Sequence, residues 1–163
     1  MEIIPVDKNN AKETIALLNR IFPKDINRYN NPEIGIMCSQ YPENYKDYYD
    51  HFNLLWTSPF VLMERGRIIG TTGIYHLATD PEDQVWLGWF CIDPDFRKKG
   101  FGRMLIEWTM DQARQKGFKK MKLYTSDDPE VTTSEILYDK LGFKKVGEEK
   151  GDGETIIYKE VTL

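Results

Sequence analysis

The sequence predicts a mixed α/β fold, with a central strand–helix–strand unit flanked by antiparallel hairpins. Three observations predict it. The apolar run Gln84 to Ile92 passes through a short basic, glycine-bearing loop into an amphipathic helix, and Met121 to Ser126 reads as the next strand. Two β-patterned runs meet around Arg65-Gly66, and two more meet around Gly151-Asp152-Gly153, both hairpin signals. Strands and helices alternate along the chain without repeats or low-complexity segments.

Each element has a local reason. Glu2-Ile3-Ile4-Pro5-Val6 is a short first strand that Pro5 confines to an edge or an early end. From Ala11 to Phe22, Ile15, Leu18 and Phe22 recur at helical spacing until Pro23 stops them. Residues Lys24 to Glu43 read as irregular, given Pro32, Gly35 and Pro42. Tyr45, Tyr48, Tyr49, Phe52, Leu55 and Trp56 then trace one face of a second helix. Phe60 to Glu64 and Arg67 to Leu77 form the first hairpin, and Gln84 to Ile92 a third strand. Phe101, Met104, Leu105, Trp108 and Gln112 set the inward stripe of the main helix, which ends near Lys116-Gly117. Lys144 to Glu148 and Thr155 to Val161 close the sheet.

Composition narrows the class. The chain has 163 residues, 29% of them charged and 40% hydrophobic, so one domain over residues 1–163 with a substantial core is expected. A net charge of −4 argues against a general nucleic-acid binder. Two cysteines, Cys38 and Cys91, make a disulfide framework or a metal cluster unexpected. No run reaches the ~18 apolar residues of a membrane helix, and Met1 begins no signal-peptide pattern, so a cytoplasmic protein away from membranes is expected.

The loop after Ile92 carries the chemistry. Gly100 and Gly102 permit a tight turn with consecutive exposed N–H groups, and the following helix adds its positive dipole end. Arg97, Lys98, Lys99 and Arg103 surround those amides. Such a loop suits a pyrophosphate. It is not a nucleoside-triphosphate P-loop, because Gly102 is followed by Arg103-Met104 and lacks the metal-binding hydroxyl. It is not a dinucleotide fingerprint either, because Leu105 stands where the third glycine belongs.

Arg97-x-x-Gly100-x-Gly102 after Ile92-Asp93-Pro94 resembles the acetyl-CoA loop of the GCN5-related N-acetyltransferase (GNAT) superfamily. About forty residues on, Leu137-Tyr138-x-Lys140-x-Gly142-Phe143 resembles that family's closing helix. The resemblance covers about residues 60–160. It implies a GNAT-like fold: a mostly antiparallel central sheet flanked by helices, with splayed strands at the CoA site. Residues 60–163 would form the acetyl-CoA core and residues 1–59 a variable acceptor side.

The resemblance also implies roles. Backbone N–H groups from Lys98 through Phe101 to Arg103 would hold the pyrophosphate of acetyl-CoA. Phe90, Cys91 and Ile92 would offer backbone groups to the amides of the pantetheine arm. Gly88 supports this from the residues, since a glycine inside a strand marks a bulge or a close approach, although it can equally make room for an aromatic neighbour. Tyr138 stands where the family places a general acid, and a phenol with a resting pKa of ~10 is protonated at neutral pH. A packed helix aromatic is the alternative reading of Tyr138. The family's usual Asn and Ala before this tyrosine are Val131 and Ser134 here, leaving Thr132 or Ser134 to supply the polar contact to the cofactor. No metal is implied.

Glu64, His76, Asp80, Glu82, Asp83 and Asp127 are candidate general bases, and the residues select none of them. Trp86 and Trp89 fall on opposite faces of a regular strand, so at most one would line the acetyl cleft. The acceptor stays open among amino acid, polyamine, aminoglycoside, peptide N-terminus and protein lysine. Three functions follow, in order: transfer to a small amine, transfer to a protein or peptide, and a non-catalytic acyl-CoA sensor. Homodimer formation is left open by the sequence.

Overall fold

A computed structural model describes residues 1–22, 31–128 and 132–163, apart from the side chains of Thr132 and Thr133. One mixed sheet has the order β1-β2-β3-β4-β6-β8-β7, with β5 paired to β3 beyond the end of β4. The strands are β1 Glu2–Pro5, β2 Leu54–Glu64, β3 Arg67–Leu77, β4 Gln84–Leu87, β5 Cys91–Ile92, β6 Lys120–Ser126, β7 Lys144–Lys150 and β8 Thr155–Thr162. Only β4 and β6 run parallel, as the helix between them requires. The helices are α1 Ala11–Ile21, α2 Pro32–Gln40, α3 Lys46–Phe52, α4 Phe101–Gln115 and α5 Thr132–Lys140.

Each face of the sheet has its own core. Ile74, Val85, Leu87, Met121 and Leu123 point to one face and pack with Ile106, Met110 and Ala113 of α4 and with Tyr138 of α5. The other face carries Val61, Ile68 and Cys91, which pack with Leu17 and Leu18 of α1 and Ile36 of α2. Thr72 and Thr109 share a buried hydroxyl bond of 2.8 Å that pins α4 to β3. The buried stripe of α4 is Leu105, Ile106, Thr109, Met110 and Ala113. It is rotated from the expected stripe, because Met104 and Trp108 flank the contact and Trp108 leans edge-on against Phe60.

Two segments depart from the sequence reading. Residues expected to be irregular contain α2, whose start is Asn31 accepting from the Glu33 N–H (2.9 Å) with Pro32 at the first turn. Asparagine followed by proline is a helix-start signal, and Gly35 had masked it. The second helix ends at Phe52, because Asn53 adopts a left-handed conformation (φ 52°) and Leu54, Leu55 and Trp56 join β2. β2 begins at Leu54, earlier than the expected Phe60, and carries Pro59 within it. Pro59 pairs with Gly73 and its carbonyl accepts from the Val6 N–H (2.9 Å), past the last β1 pair at Pro5↔Phe60, so its missing N–H falls at the end of the β1 ladder.

Candidate active site

The site forms where β4 hands over to β5. Ile74 and Thr71 of β3 pair with Leu87 and Cys91, so two β3 residues oppose the three residues Gly88, Trp89 and Phe90. That extra residue is a β-bulge. Both readings of Gly88 hold at once, since a Cβ there would lie 2.9 Å from the Tyr75 ring. Trp89 takes φ 49°, a left-handed conformation that a bulky residue adopts only under constraint. The constraint is visible. The Trp89 carbonyl accepts from Thr71 Oγ1 at 2.5 Å, and its indole packs edge-on against Phe22 and over Gly35.

The bulge resets side-chain alternation, which corrects one expectation. Trp86 and Trp89 lie on the same face of the sheet, the face of Tyr75 and Cys91. Trp89 is packed under α1 and α2, while Trp86 stacks on Tyr75. Phe90 turns the other way, its ring 6.1 Å from Tyr138. A Cβ at Gly35 would come within 2.2 Å of Trp89. Gly35→Val is therefore expected to destabilise by about 1–3 kcal/mol through overpacking and to shift the bulge. Denaturant titration together with tryptophan fluorescence checks it.

The bulge leaves backbone groups open. Among the described residues, the Trp89 N–H and both the N–H and carbonyl of Phe90 make no hydrogen bond. The Ile92 carbonyl accepts from Arg97 Nε at 3.0 Å, which leaves one lone pair for a ligand. β6 pairs with β4 only as far as Trp86↔Lys122, so beyond that point β5 and β6 are splayed apart.

Six consecutive amides follow. The N–H groups of Lys98, Lys99, Gly100, Phe101, Gly102 and Arg103 carry no hydrogen bond among the described residues, and the last three belong to the first turn of α4. The two glycines serve differently. Gly100 caps the helix at φ 86° with open space around it, whereas Gly102 is helical and lies close to Leu137 and Phe90, 3.3 Å and 3.6 Å from where its Cβ would be. A special dihedral is thus needed at Gly100 and not at Gly102. The basic side chains are largely engaged elsewhere. Lys99 Nζ donates to the Asp95 carbonyl (3.2 Å) and Arg103 pairs with Glu107 (2.9 Å), while exposed Lys98 has no partner among the described residues.

Tyr138 lies in the core of the α4 side, 7% exposed, with Phe90 and Phe143 edge-on to its ring. Its hydroxyl makes no hydrogen bond among the described residues, and no unpartnered polar side-chain atom there is sealed from solvent. The hydroxyl therefore opens into accessible space. Burial, and to a lesser degree the neighbouring Cys91, pushes its pKa well above the ordinary phenol value. Ser134 is half-buried on α5, whereas Val131 and the Thr132 side chain lie outside the described part. α5 is held to the sheet by buried Lys159, which reaches Asp139 (2.7 Å) and Glu135 (3.2 Å).

Asp93 escaped the sequence reading, although it stood within the quoted Ile-Asp-Pro. Its carboxylate is 1% exposed and binds Arg20 (2.8 Å), Arg67 (2.9 Å) and the Asp95 N–H (3.1 Å), tying α1, β3 and the start of the loop together. Burial raises its pKa, but the Asp95 N–H and the two guanidinium groups outweigh that and hold it below the usual carboxylate value. A lowered folded pKa means this contribution is complete above the unfolded value of ~3.9 and disappears as pH falls through the folded one. Asp93→Asn is expected to cost about 2 kcal/mol at pH 7 and less at pH 3. Urea denaturation at the two pH values measures both.

The candidate bases are scattered. His76 is buried, its Nδ1 2.8 Å from the Gln84 carbonyl and its ring stacked on Trp56. Glu64 pairs with the N-terminus at the far end of β2. Asp127 caps the turn at Thr155 (2.8 Å), and that backbone bond holds its pKa down. Asp80 accepts from the Trp86 indole at 2.5 Å. Glu82 and Asp83 lie exposed in the same turn, where the Asp83 carbonyl accepts from the Lys119 N–H.

The same fold is found in solved acetyltransferase structures. The chain covers 99% of itself and 97% of an aminoglycoside 6'-N-acetyltransferase complexed with coenzyme A, with a TM-score of 0.73 at 17% identity. A family model for the GNAT acetyltransferases matches residues 26–143, and the chain belongs to that family. It is 27% identical over 117 residues to the S-(2-succino)cysteine N-acetyltransferase of Bacillus subtilis, covering 68% of this chain and 70% of the relative. It is 34% identical over 80 residues to a Xenopus tropicalis protein named "Probable N-acetyltransferase camello". That match covers 49% of this chain and 35% of the relative, so the chain spans about a third of that protein's length.

Proposed function

We propose that the protein transfers the acetyl group of acetyl-CoA to a primary amine of a small molecule by direct attack, with Tyr138 as general acid. The observation that carries this reading is Tyr138, its hydroxyl unpartnered among the described residues, packed edge-on to Phe90, whose backbone groups, like the six amides from Lys98 to Arg103, make no hydrogen bond among those residues. Those amides and the dipole of α4 suit the pyrophosphate. The Phe90 N–H and carbonyl suit the pantetheine amides, and the Trp89 N–H is a donor for the thioester carbonyl as charge develops on it.

The neutral amine forms the C–N bond as the C–S bond breaks. Tyr138 gives its proton to the departing thiolate, and the proton lost by the amine nitrogen returns to the phenol or to water. A route through an acetylated cysteine is disfavoured by burial. Burial pushes the Cys91 thiol up to about 11 and the Cys38 thiol up to about 12, so neither is a thiolate at neutral pH. The Bacillus relative, whose name specifies a small-molecule acceptor, supports a small amine over a protein.

Thiol release from acetyl-CoA against amines, amino acids and short peptides tests the proposal. Turnover is expected on a small amine. Turnover on peptides alone would replace the acceptor class, and acetyl-CoA binding without any turnover would leave a sensor.

A further inference from the structure

The sheet face opposite α4 and α5 carries an aromatic wall that the reading above does not use. Tyr75 lies directly against Gly88, at the bulge. Trp86 stacks on Tyr75, with ring centres 6.0 Å apart at 14°, and Tyr158 meets Trp86 edge-on at 6.2 Å. Tyr124 pairs across the strands with Tyr158 and is 58% exposed, two residues past the point where β6 leaves β4. Tyr75 pairs with Trp86, Trp86 with Lys122 and Tyr124 with Tyr158, and Tyr124 lies two residues from Lys122, so the four rings stand on one face of the sheet.

The charges around the wall have a sign. Asp80 accepts from the Trp86 indole (2.5 Å), and Glu149 accepts from the Tyr158 hydroxyl (3.0 Å). The Lys122 ammonium lies 5.0 Å above the Trp86 ring, so the wall already holds one cation on a π face. Asp80 and Glu149 against the single Lys122 ammonium leave the wall net negative, which favours a further ammonium over a carboxylate.

Resting on the transferase reading, we propose that the acceptor is a primary alkylamine with an apolar or aromatic body and no carboxylate, seated against Tyr75 and Tyr124. Its ammonium is drawn in by Asp80, Glu149 and the ring faces. Its body covers the exposed Tyr124 ring, and its nitrogen reaches the thioester through the splay at Gly88. An amino acid with the same side chain brings a carboxylate to the same rim and is rejected, so this chain would share with the Bacillus relative a small acceptor but not its cysteine-derived one.

The test uses acceptor pairs that differ only in the carboxylate, phenethylamine against phenylalanine and tyramine against tyrosine, in the thiol-release assay. The amine of each pair is expected to have about three- to tenfold higher kcat/KM at low salt, since the partly exposed Asp80 and exposed Glu149 repel a carboxylate through screened charge. Tyr124→Ala is expected to raise the amine KM about fivefold while acetyl-CoA binding by calorimetry stays unchanged. Equal or better turnover of the amino acids overturns the proposal and leaves the transferase reading standing. So does turnover confined to peptides, or a Tyr124→Ala enzyme with an unaltered amine KM. Failure to bind acetyl-CoA sinks the transferase reading itself.

Discussion

Tyr138→Phe is expected to lower kcat by about 10²–10⁴-fold, with the KM for acetyl-CoA changed less than about twofold. The substitution removes one oxygen that holds no other group of the described residues, so folding stability should move by less than about 0.5 kcal/mol. This separates the two readings of the residue. A structural tyrosine predicts that Phe, which keeps the edge-on contacts with Phe90 and Phe143, leaves activity intact. An acid predicts loss of turnover in a protein that is folded and still binds its cosubstrate. The raised phenol pKa adds a signed expectation. The protonated phenol is the active form, so Tyr138 imposes no alkaline limb on kcat below pH ~10. Rate should instead rise with pH as the acceptor amine loses its proton. An alkaline limb near pH 8 that vanishes in the Phe enzyme would overturn the raised pKa, and a Phe enzyme with native kcat would overturn the acid assignment.

Much of this fold was legible because its signals are local. The hairpins at Arg65-Gly66 and Gly151-Asp152-Gly153 and the glycine-capped α4 are set by φ > 0 and by periodicity, which a single chain displays. The family motifs were readable for the same reason, since they are runs of backbone that must turn tightly. What escaped depends on pairing across the chain. α2 was lost because Gly35 reads as a loop residue until Trp89, fifty-odd residues away, is seen filling its missing side chain. The expected alternation of Trp86 and Trp89 failed because one extra residue at the bulge reverses it, and a register slip appears only against β3. Nothing in the local sequence around Asp93 or Lys159 marks either charge as buried. Both are buried, because their partners arrive from α1 and β3 in one case and from α5 in the other. The aromatic wall is four tyrosines and tryptophans on four different strands, with no spacing that announces it.

Gly100→Val is expected to weaken acetyl-CoA binding by about 10- to 30-fold, whereas Lys98→Gly should change it by less than about threefold. The contrast decides between amides and side-chain charge as the holder of the pyrophosphate. Gly100 sits at φ 86° with no atom within 4 Å of where a Cβ would go, so the cost of valine is dihedral and not steric. A left-handed conformation costs an L-residue about 1–2 kcal/mol, and more for a β-branched one. The loop escapes that cost by leaving the left-handed turn, which disperses the six amides it had aligned with α4. A penalty of ~1.4 kcal/mol is tenfold in affinity. Lys98 is already left-handed itself (φ 60°), so glycine there relieves strain while removing the one loop cation without a partner among the described residues. If the charges held the ligand, Lys98→Gly would cost affinity steeply and the loss would shrink at high salt. If the amides hold it, calorimetry finds near-native binding for Lys98→Gly and a deficit for Gly100→Val that salt does not remove. The reverse ranking would transfer the pyrophosphate to the side chains and reduce Gly100 to a helix cap.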